Sequence, residues 1–195
     1  MISYRYTDTE INNILKTLTI VMDTREKDNT HIRDYLHQKG IPIKNQKLDT
    51  GDYGCMIPKN EELGIFRDIY LDSRVERKAH MDEITGNLQK NTQTAFENEL
   101  IRSKEIPFTL IVEDLHGYEK MLQGKYHSKY NPLALLGRLN TFKAKYGFEI
   151  VYLDKKFSGN WMYHHFYYQA KHYFKLGGFL GDKKEDSYIR ALRGN

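Results

Sequence analysis

The sequence of 195 residues contains one cysteine and four prolines, and it lacks a long hydrophobic segment. A single cysteine, Cys55, excludes an internal disulfide framework and a cysteine-cluster zinc site, so we expect it to be a small buried side chain. No apolar run approaches the roughly 18 residues that a membrane-spanning helix needs. Residues 1–10 lack the basic start and apolar stretch of a signal peptide. The sequence therefore predicts a soluble protein of the reducing cytoplasm, with no membrane segment.

The charge of the chain is distributed unevenly. Apolar residues make up 39% and charged residues 29%, a balance typical of a globular domain. Residues 155–195 carry eight basic and three acidic side chains, whereas the first 154 residues have a net charge of −1. A basic end on a nearly neutral body indicates an anionic partner such as nucleic acid, and a solvated lysine-rich end is the alternative.

The hydrophobic pattern predicts one α/β domain with a mixed sheet. We expect an N-terminal extension over 1–16, a globular domain over 17–176 and a basic tail over 177–195. Predicted strands lie at 17–22, 41–48, 52–58, 65–78, 107–113 and 148–153. Predicted helices lie at 28–38, 81–103, 131–146 and 158–176, and residues 115–130 are expected to form a long polar loop.

Several charged residues lie near the ends of these predicted strands. Asp23 ends the first strand, and Asp52 follows a glycine. Glu76 and Lys78 are two residues apart on one strand, so they share a face of the sheet. Carboxylates are ligands for Mg²⁺ or Mn²⁺, and a lysine can orient a water molecule and offset charge on a phosphate. The set suits metal-assisted phosphodiester hydrolysis, although a surface strand that alternates Glu and Lys by chance is the alternative.

Three motifs in register resemble the XPF/Mus-type nuclease domain, a branch of the PD-(D/E)XK group. The pattern GDXnERKXXXD is matched by Gly51, Asp52, Glu76, Arg77, Lys78 and Asp82. The first strand ends in DTRE at 23–26, which resembles the D-[ST]-R-E of the family. The sequence FENEL at 96–100 resembles an F-x-x-E-L motif of bacterial members. The resemblance covers roughly residues 17–155.

The resemblance implies a restriction-endonuclease-like, three-layer α/β/α fold with a central mixed sheet. It also implies a DNA endonuclease that depends on Mg²⁺ or Mn²⁺ and acts at branched, flapped or single/double-strand junction DNA, as in repair and recombination. By position, Asp52 and Glu76 would bind the metal, helped by the carbonyl of Arg77. Asp23 would be a further ligand or would hold a water beside the metal. Lys78 would position the attacking water.

The remaining motif residues have two possible roles each. Asp82 either anchors the site by hydrogen bonding or caps the following helix. The side chain of Arg77, on the other strand face, either reaches DNA or braces acidic neighbours. Arg25 is likewise a candidate for phosphate contact or for bracing. Lys125 and Lys129, in the loop over 115–130, are candidates for DNA contact.

The chain also departs from the family pattern. Only 19 residues follow Leu176, too few for the paired helix-hairpin-helix module of many branch-cutting members. We therefore expect a homodimer or a partner subunit, held through the aromatic helix over 158–176. Its aromatic residues cover nearly all faces, which favours burial between core and tail together with this interface over base stacking on DNA.

Two other functions are compatible with the sequence. One is a non-catalytic DNA-binding or scaffold subunit, which the intact Asp52, Glu76 and Lys78 disfavour. The other is a restriction-type or RNA-directed nuclease of the wider group. The compact size is typical of accessory nucleases of phages and mobile elements, and we expect a nucleoid-associated location.

Overall fold

The computed structural model describes residues 6–89 and 92–176. Its helices are α1 (Asp8–Leu15), α2 (Thr30–Gln38), α3 (Met81–Asn87), α4 (Gln93–Arg102), α5 (Gly117–Gln123), α6 (Pro132–Tyr146) and α7 (Ser158–Lys175). Its strands are β1 (Thr19–Met22), β2 (Ile43–Asn45), β3 (Tyr53–Ile57), β4 (Ile69–Tyr70), β5 (Arg74–Lys78), β6 (Phe108–Val112) and β7 (Glu149–Tyr152). The basic tail lies outside the described residues, so the three predicted segment boundaries stay predictions.

The seven strands form one mixed sheet. The order is β2-β1-β3-β5-β6-β7, and β4 pairs with the outer part of β3. Strands β1, β5, β6 and β7 run in the same direction, and β3 runs against β1 and β5. The carboxyl ends of β1, β5 and β6 and the amino end of β3 therefore meet at one edge of the sheet.

Helices cover both faces of this sheet. On one face, α1, α2 and α7 enclose a core that includes Tyr53, Val75 and Ile111. On the other face, α3 to α6 pack over a second core that includes Leu110 and Val112. The predicted three-layer α/β/α fold with a central mixed sheet is confirmed.

The local signals for α6 act as predicted. The side chain of Asn131 accepts a hydrogen bond from the N–H of Ala134, and Pro132 takes the first helical position. Gly147 ends the helix with a φ of 73°, a conformation that other residues adopt at a cost.

Several element boundaries differ from the prediction. The helix expected over 81–103 is two helices, and the hydroxyl of Thr92 donates to the carbonyls of Gly86 and Gln89 between them. Such side-chain bonds compete with the helical ladder. The expected loop over 115–130 contains α5, and the expected extension over 1–16 contains α1. Helix α1 was missed because it is short, and it is held by a capping box between Thr7 and Glu10.

The aromatic helix α7 packs through one stripe of side chains. Met162, Phe166, Ala170 and Phe174 recur every four residues and are buried. On the opposite side Tyr168 is exposed, so the described residues do not cover this face of the helix. The tail that was expected to cover this side lies outside the described residues.

No helix in the described part of the chain is both long enough and apolar enough to cross a bilayer.

Candidate active site at the edge of the sheet

The turn before β3 brings Asp52 close to β5. Gly51 has a φ of 71°, and a Cβ atom there would lie 3.1 Å from the Cβ of Arg74 and 3.2 Å from the carbonyl oxygen of Val75. The absent side chain lets the N–H of Asp52 donate to that same oxygen over 2.9 Å. The glycine of the motif therefore sets the separation between Asp52 and the strand that carries Glu76.

Glu76 and Lys78 lie on the same face of β5 and contact each other. The Nζ atom of Lys78 lies 2.5 Å from Oε1 of Glu76, and both side chains are largely buried. The other oxygen, Oε2 of Glu76, is buried without a hydrogen-bond partner among the described residues. Buried polar atoms normally have a partner, and the carboxylate of Asp52 nearby can serve as one only through a shared proton or a bound cation.

Asp52 is held by the backbone of the strand opposite. Its Oδ2 accepts a hydrogen bond of 2.9 Å from the N–H of Arg77, and its carbonyl accepts one of 2.8 Å from the N–H of Asp23. The carboxylate is thereby fixed beside Glu76, although no side-chain cation is hydrogen-bonded to it among the described residues.

The two acids disfavour each other's ionisation. Burial raises the pKa of Glu76 well above its ordinary value, and the neighbouring Asp52 raises it further against the opposing effect of Lys78. Burial also raises the pKa of Asp52. Burial alone would lower the pKa of Lys78, but the surrounding carboxylates raise it overall. The site therefore holds more negative charge than Lys78 offsets, and a divalent cation would relieve the excess.

Asp23 lies at the same edge, but its oxygens are already engaged. Oδ1 accepts from the backbone N–H and Nε–H of Arg25, over 2.7 and 2.8 Å. Oδ2 accepts from Nη2 of Arg25 over 2.8 Å and from the N–H of Leu48 over 2.7 Å. The side-chain bond to Arg25 is the main reason that the pKa of Asp23 is lowered to about 2. Of the two predicted roles of Asp23, this geometry disfavours the metal ligand, because each carboxylate oxygen already accepts two hydrogen bonds.

Arg25 braces this corner. Besides the two side-chain bonds to Asp23, its Nη2 donates to the carbonyl of Leu48 over 2.8 Å. The side chain is nevertheless 63% exposed. Of the two predicted roles, the structure therefore contains the brace, and the exposed side leaves room for a phosphate contact.

The side chain of Arg77 points to the opposite face of β5 and braces acidic neighbours. Its Nη1 lies 3.0 Å from Oε1 of Glu26, and its Nη2 donates over 2.6 Å to the carbonyl of Asp28. Its Nε lies 3.1 Å from Oε2 of Glu113, an ion pair without the alignment of a hydrogen bond. The side chain is only 4% exposed. Of the two predicted roles, this buried side chain therefore has the bracing one, and it is not exposed for contact with DNA.

Asp82 fastens a neighbouring segment instead of facing Glu76. Its Oδ1 accepts from the N–H of His127 over 2.6 Å, and its Oδ2 lies 3.0 Å from Nδ1 of the same histidine. The N-cap of α3 is His80, so Asp82 does not cap this helix. Lys125 and Lys129 flank His127, and all three side chains are exposed. The structure brings this basic segment to α3, which directly follows Lys78.

Two acids near the site were not predicted as site residues. Oε1 of Glu99, on α4, accepts from the N–H of Gly51 over 3.2 Å, and its charge raises the pKa of Asp52 and Glu76. Its sequence signal is the FENEL motif. Glu113 follows β6 and holds Arg77 and His31, whose Nε2 lies 2.6 Å from Oε1. Its sequence signal is a charged residue at the end of the apolar strand predicted over 107–113.

The chemistry of the site fits a hard divalent cation that keeps most of its water. Within residues 6–89 and 92–176, no three His, Cys, Asp or Glu side chains are grouped to hold a metal ion by themselves. Mg²⁺ is commonly bound through one or two carboxylates, with water in the remaining positions. Asp52 and the free oxygen of Glu76 supply that number.

Comparisons with known proteins agree with this fold. A family model described as "ERCC4 domain" matches residues 22–165. XPF from Aeropyrum pernix has a similar structure, with a TM-score of 0.56 and 16% sequence identity over 90% of this chain and 80% of that one. XPF from the same organism in complex with DNA matches with a TM-score of 0.54 and 17% identity, over 91% of this chain and 82% of that one. No relative was found among curated protein sequences.

Proposed function

Because the chain belongs to the ERCC4 domain family, we propose that it is a divalent-metal-dependent endonuclease that hydrolyses DNA phosphodiesters. The family resemblance predicted from the GD and ERK motifs is confirmed. One structure with the same fold is described as XPF in complex with DNA, and this supports DNA as the polymer that is bound.

The observation that carries the proposal is the arrangement of Asp52, Glu76 and Lys78. Two carboxylates and one lysine converge on one face at the sheet edge, and the buried Oε2 of Glu76 has no hydrogen-bond partner among the described residues. Asp52 and Glu76 would hold Mg²⁺ or Mn²⁺, with the carbonyl of Arg77 as a third ligand. When bound, the ion would polarise the phosphate and offset its developing charge.

The residues of the chain would do the remaining work. Hydrolysis adds the oxygen of a water molecule to phosphorus and breaks the bond from phosphorus to one sugar oxygen. Lys78 is held beside Glu76 and would orient the attacking water through its ammonium group. The N–H of Arg77 keeps Asp52 in place, and Glu99 fixes the turn at Gly51. Asp23 would contribute indirectly, by holding the side chain of Arg25 at this edge of the sheet.

DNA would be held by basic side chains around this edge. Lys125 and Lys129 are exposed in the segment that Asp82 ties to α3. Arg25 exposes one side of its guanidinium at the end of β1. Contacts from such residues to phosphates would position the duplex without reading its sequence.

The finer parts of the proposal concern the substrate and the assembly. We propose branched, flapped or junction DNA as the preferred substrate, with the protein acting at the nucleoid. A homodimer or a partner subunit would be held through the exposed side of α7, where Tyr168 is accessible, and through Leu176, which follows the helix and is also exposed.

The test is cleavage of labelled flap, fork, duplex and single-stranded DNA with Mn²⁺ and with Mg²⁺. Asp52→Ala and Glu76→Gln should each lower the rate by at least about 100-fold, as expected when a group that stabilises transition-state charge is lost. Glu105→Gln removes an exposed acid remote from the site and should cut like the wild type.

The results distinguish the nuclease from the non-catalytic DNA-binding subunit. Cleavage that requires the metal and disappears in both site variants supports the nuclease. Wild-type protein that binds these DNAs and leaves all of them intact would instead support the non-catalytic DNA-binding subunit. Cleavage that persists in Asp52→Ala and Glu76→Gln would contradict the assigned site.

A further inference from the structure

The face of β5 behind the candidate active site contains a buried group of charges. Glu113 is the most enclosed member, with a side-chain exposure of 0%. It comes from the end of β6, far from Glu26 in sequence, and both acids meet on the guanidinium of Arg77. A buried carboxylate is costly unless it is paired, so its position between a histidine and an arginine calls for an explanation.

Glu113 engages its neighbours through both side-chain oxygens. Oε2 lies 3.1 Å from Nε of Arg77, and Oε1 lies 2.6 Å from Nε2 of His31 on α2. Its own N–H donates over 2.9 Å to the carbonyl of Lys78. One residue therefore holds the side chain of Arg77 and the backbone of Lys78, the two residues that follow Glu76.

The same arginine connects this group to the front of the strand. The guanidinium of Arg77 is fixed on three sides, by Glu113, by Glu26 and by the carbonyl of Asp28. Its backbone N–H donates to Oδ2 of Asp52 over 2.9 Å. A shift of the backbone of Arg77 would therefore move the donor that orients the carboxylate of Asp52 beside Glu76.

We propose that Glu113 is a positioning residue for the metal site, and that it acts through Arg77 without contacting metal or DNA. This inference rests on the proposed nuclease function. Removal of its charge would release one side of the guanidinium and loosen the peptide that orients Asp52. Residues that orient metal ligands typically contribute about 10- to 100-fold in metal affinity or activity when they are mutated.

The primary experiment is Mn²⁺ binding to Glu113→Gln without DNA, measured from the electron paramagnetic resonance signal of the free ion. We expect the dissociation constant for Mn²⁺ to rise about 10-fold or more. The Mn²⁺ concentration at half-maximal cleavage should rise in parallel, and excess Mn²⁺ should restore part of the rate. Glu149→Gln, an exposed acid on the adjacent strand β7, is the matched control and should bind Mn²⁺ like the wild type.

A second comparison tests the route through Arg77. In an Arg77→Lys background the shorter, single-headed cation cannot meet all three partners, so the added change Glu113→Gln should weaken Mn²⁺ binding less than it does in the wild type. Equal effects in the two backgrounds would overturn the proposed route.

The proposal and the nuclease function can fail separately. If the wild type cleaves DNA and folded Glu113→Gln binds Mn²⁺ with unchanged affinity, the positioning role is overturned and the nuclease function stands. If Glu113→Gln does not fold, His31→Ala replaces it, since it frees only Oε1 of Glu113. It should weaken Mn²⁺ binding in the same direction by several-fold, and unchanged binding would overturn the proposal. A wild type that binds Mn²⁺ but cuts no DNA would count against the nuclease alone.

Discussion

The two faces of β5 carry similar charges but are completed in different ways. On the front, Glu76 pairs with Lys78 and leaves one buried oxygen without a partner among the described residues. On the back, the carboxylates of Glu113 and Glu26 lie within about 3 Å of the guanidinium of Arg77. At the back both carboxylates contact a cation of the chain, whereas at the front Asp52 contacts none among the described residues. Incomplete pairing, and not charge content, therefore distinguishes the candidate site from its support.

Removal of the cation at the back should have the largest effect on stability. Arg77→Met leaves Glu113 buried without its charge partner, and such a loss typically costs about 3–5 kcal/mol. We expect the free energy of unfolding, measured in urea by circular dichroism, to fall by that amount. Arg67→Met, at an exposed position, is the control and should change it by less than about 0.5 kcal/mol. A small effect of Arg77→Met would show that the back face is not a supporting network.

The contribution of Asp23 to stability tests whether hydrogen-bond donors alone determine the pKa of a carboxyl group at this edge of the sheet. Its pKa is lowered to about 2, chiefly by Arg25. The stability it contributes is therefore present above its ordinary pKa of 3.8 and is lost as the pH falls through about 2. Asp23→Asn should cost at most about 2 kcal/mol at pH 7, because Arg25 is partly exposed and screened by solvent.

The pH dependence of the stability difference tests the direction of the pKa shift of Asp23. Urea unfolding of Asp23→Asn and wild type at pH 7, 4 and 2.5 should yield a difference that shrinks towards the lowest pH. Asp49→Asn, an exposed acid nearby in sequence, should show no such trend. A difference that grows on acidification would contradict the lowered pKa.

The smallest predicted effect has the opposite sign and concerns the front face. The raised pKa of Glu76 means that the folded state holds this proton more tightly than the unfolded state. The stability of the metal-free protein should therefore fall as the pH rises above the ordinary value of 4.5. Glu76→Gln mimics the protonated form, so at pH 8 without metal it should be more stable than wild type by on the order of 1 kcal/mol.

Thermal unfolding with and without Mn²⁺ checks this prediction. Added Mn²⁺ should raise the melting temperature of the wild type and have little effect on Glu76→Gln. A metal-free Glu76→Gln that is less stable than wild type at pH 8 would contradict the raised pKa of Glu76 and, with it, the difference between the two faces of β5.

The sequence was most informative where short-range geometry determines the outcome. Glu76 and Lys78 had to share a face because they are two residues apart on a strand. Asn131, Pro132 and Gly147 specify the ends of a helix through local hydrogen bonds and backbone angles alone. These features depend on local geometry and not on tertiary packing.

The sequence was least informative where distant segments meet. Glu99 reaches Gly51 only because α4 packs over the turn before β3, and Glu113 contacts Arg77 and His31 only because β6 lies beside β5 and α2 packs over them. Asp23 next to Arg25 is compatible with a metal ligand and with a closed ion pair. The choice depends on the N–H of Leu48, which comes from another part of the chain.

The alternation along β5 also has a consequence for how the sheet assembles. Glu76 pairs in register with Leu110 and Arg77 with Ile111 of β6. A slip of one residue would turn every side chain to the other face. It would bring Glu76 and Lys78 to Glu113 and Glu26 in place of Arg77, so that one lysine would face three carboxylates without the several contacts that the guanidinium makes. The charges of the motif therefore penalise a mispaired sheet, so the same residues that equip the site also select the correct fold.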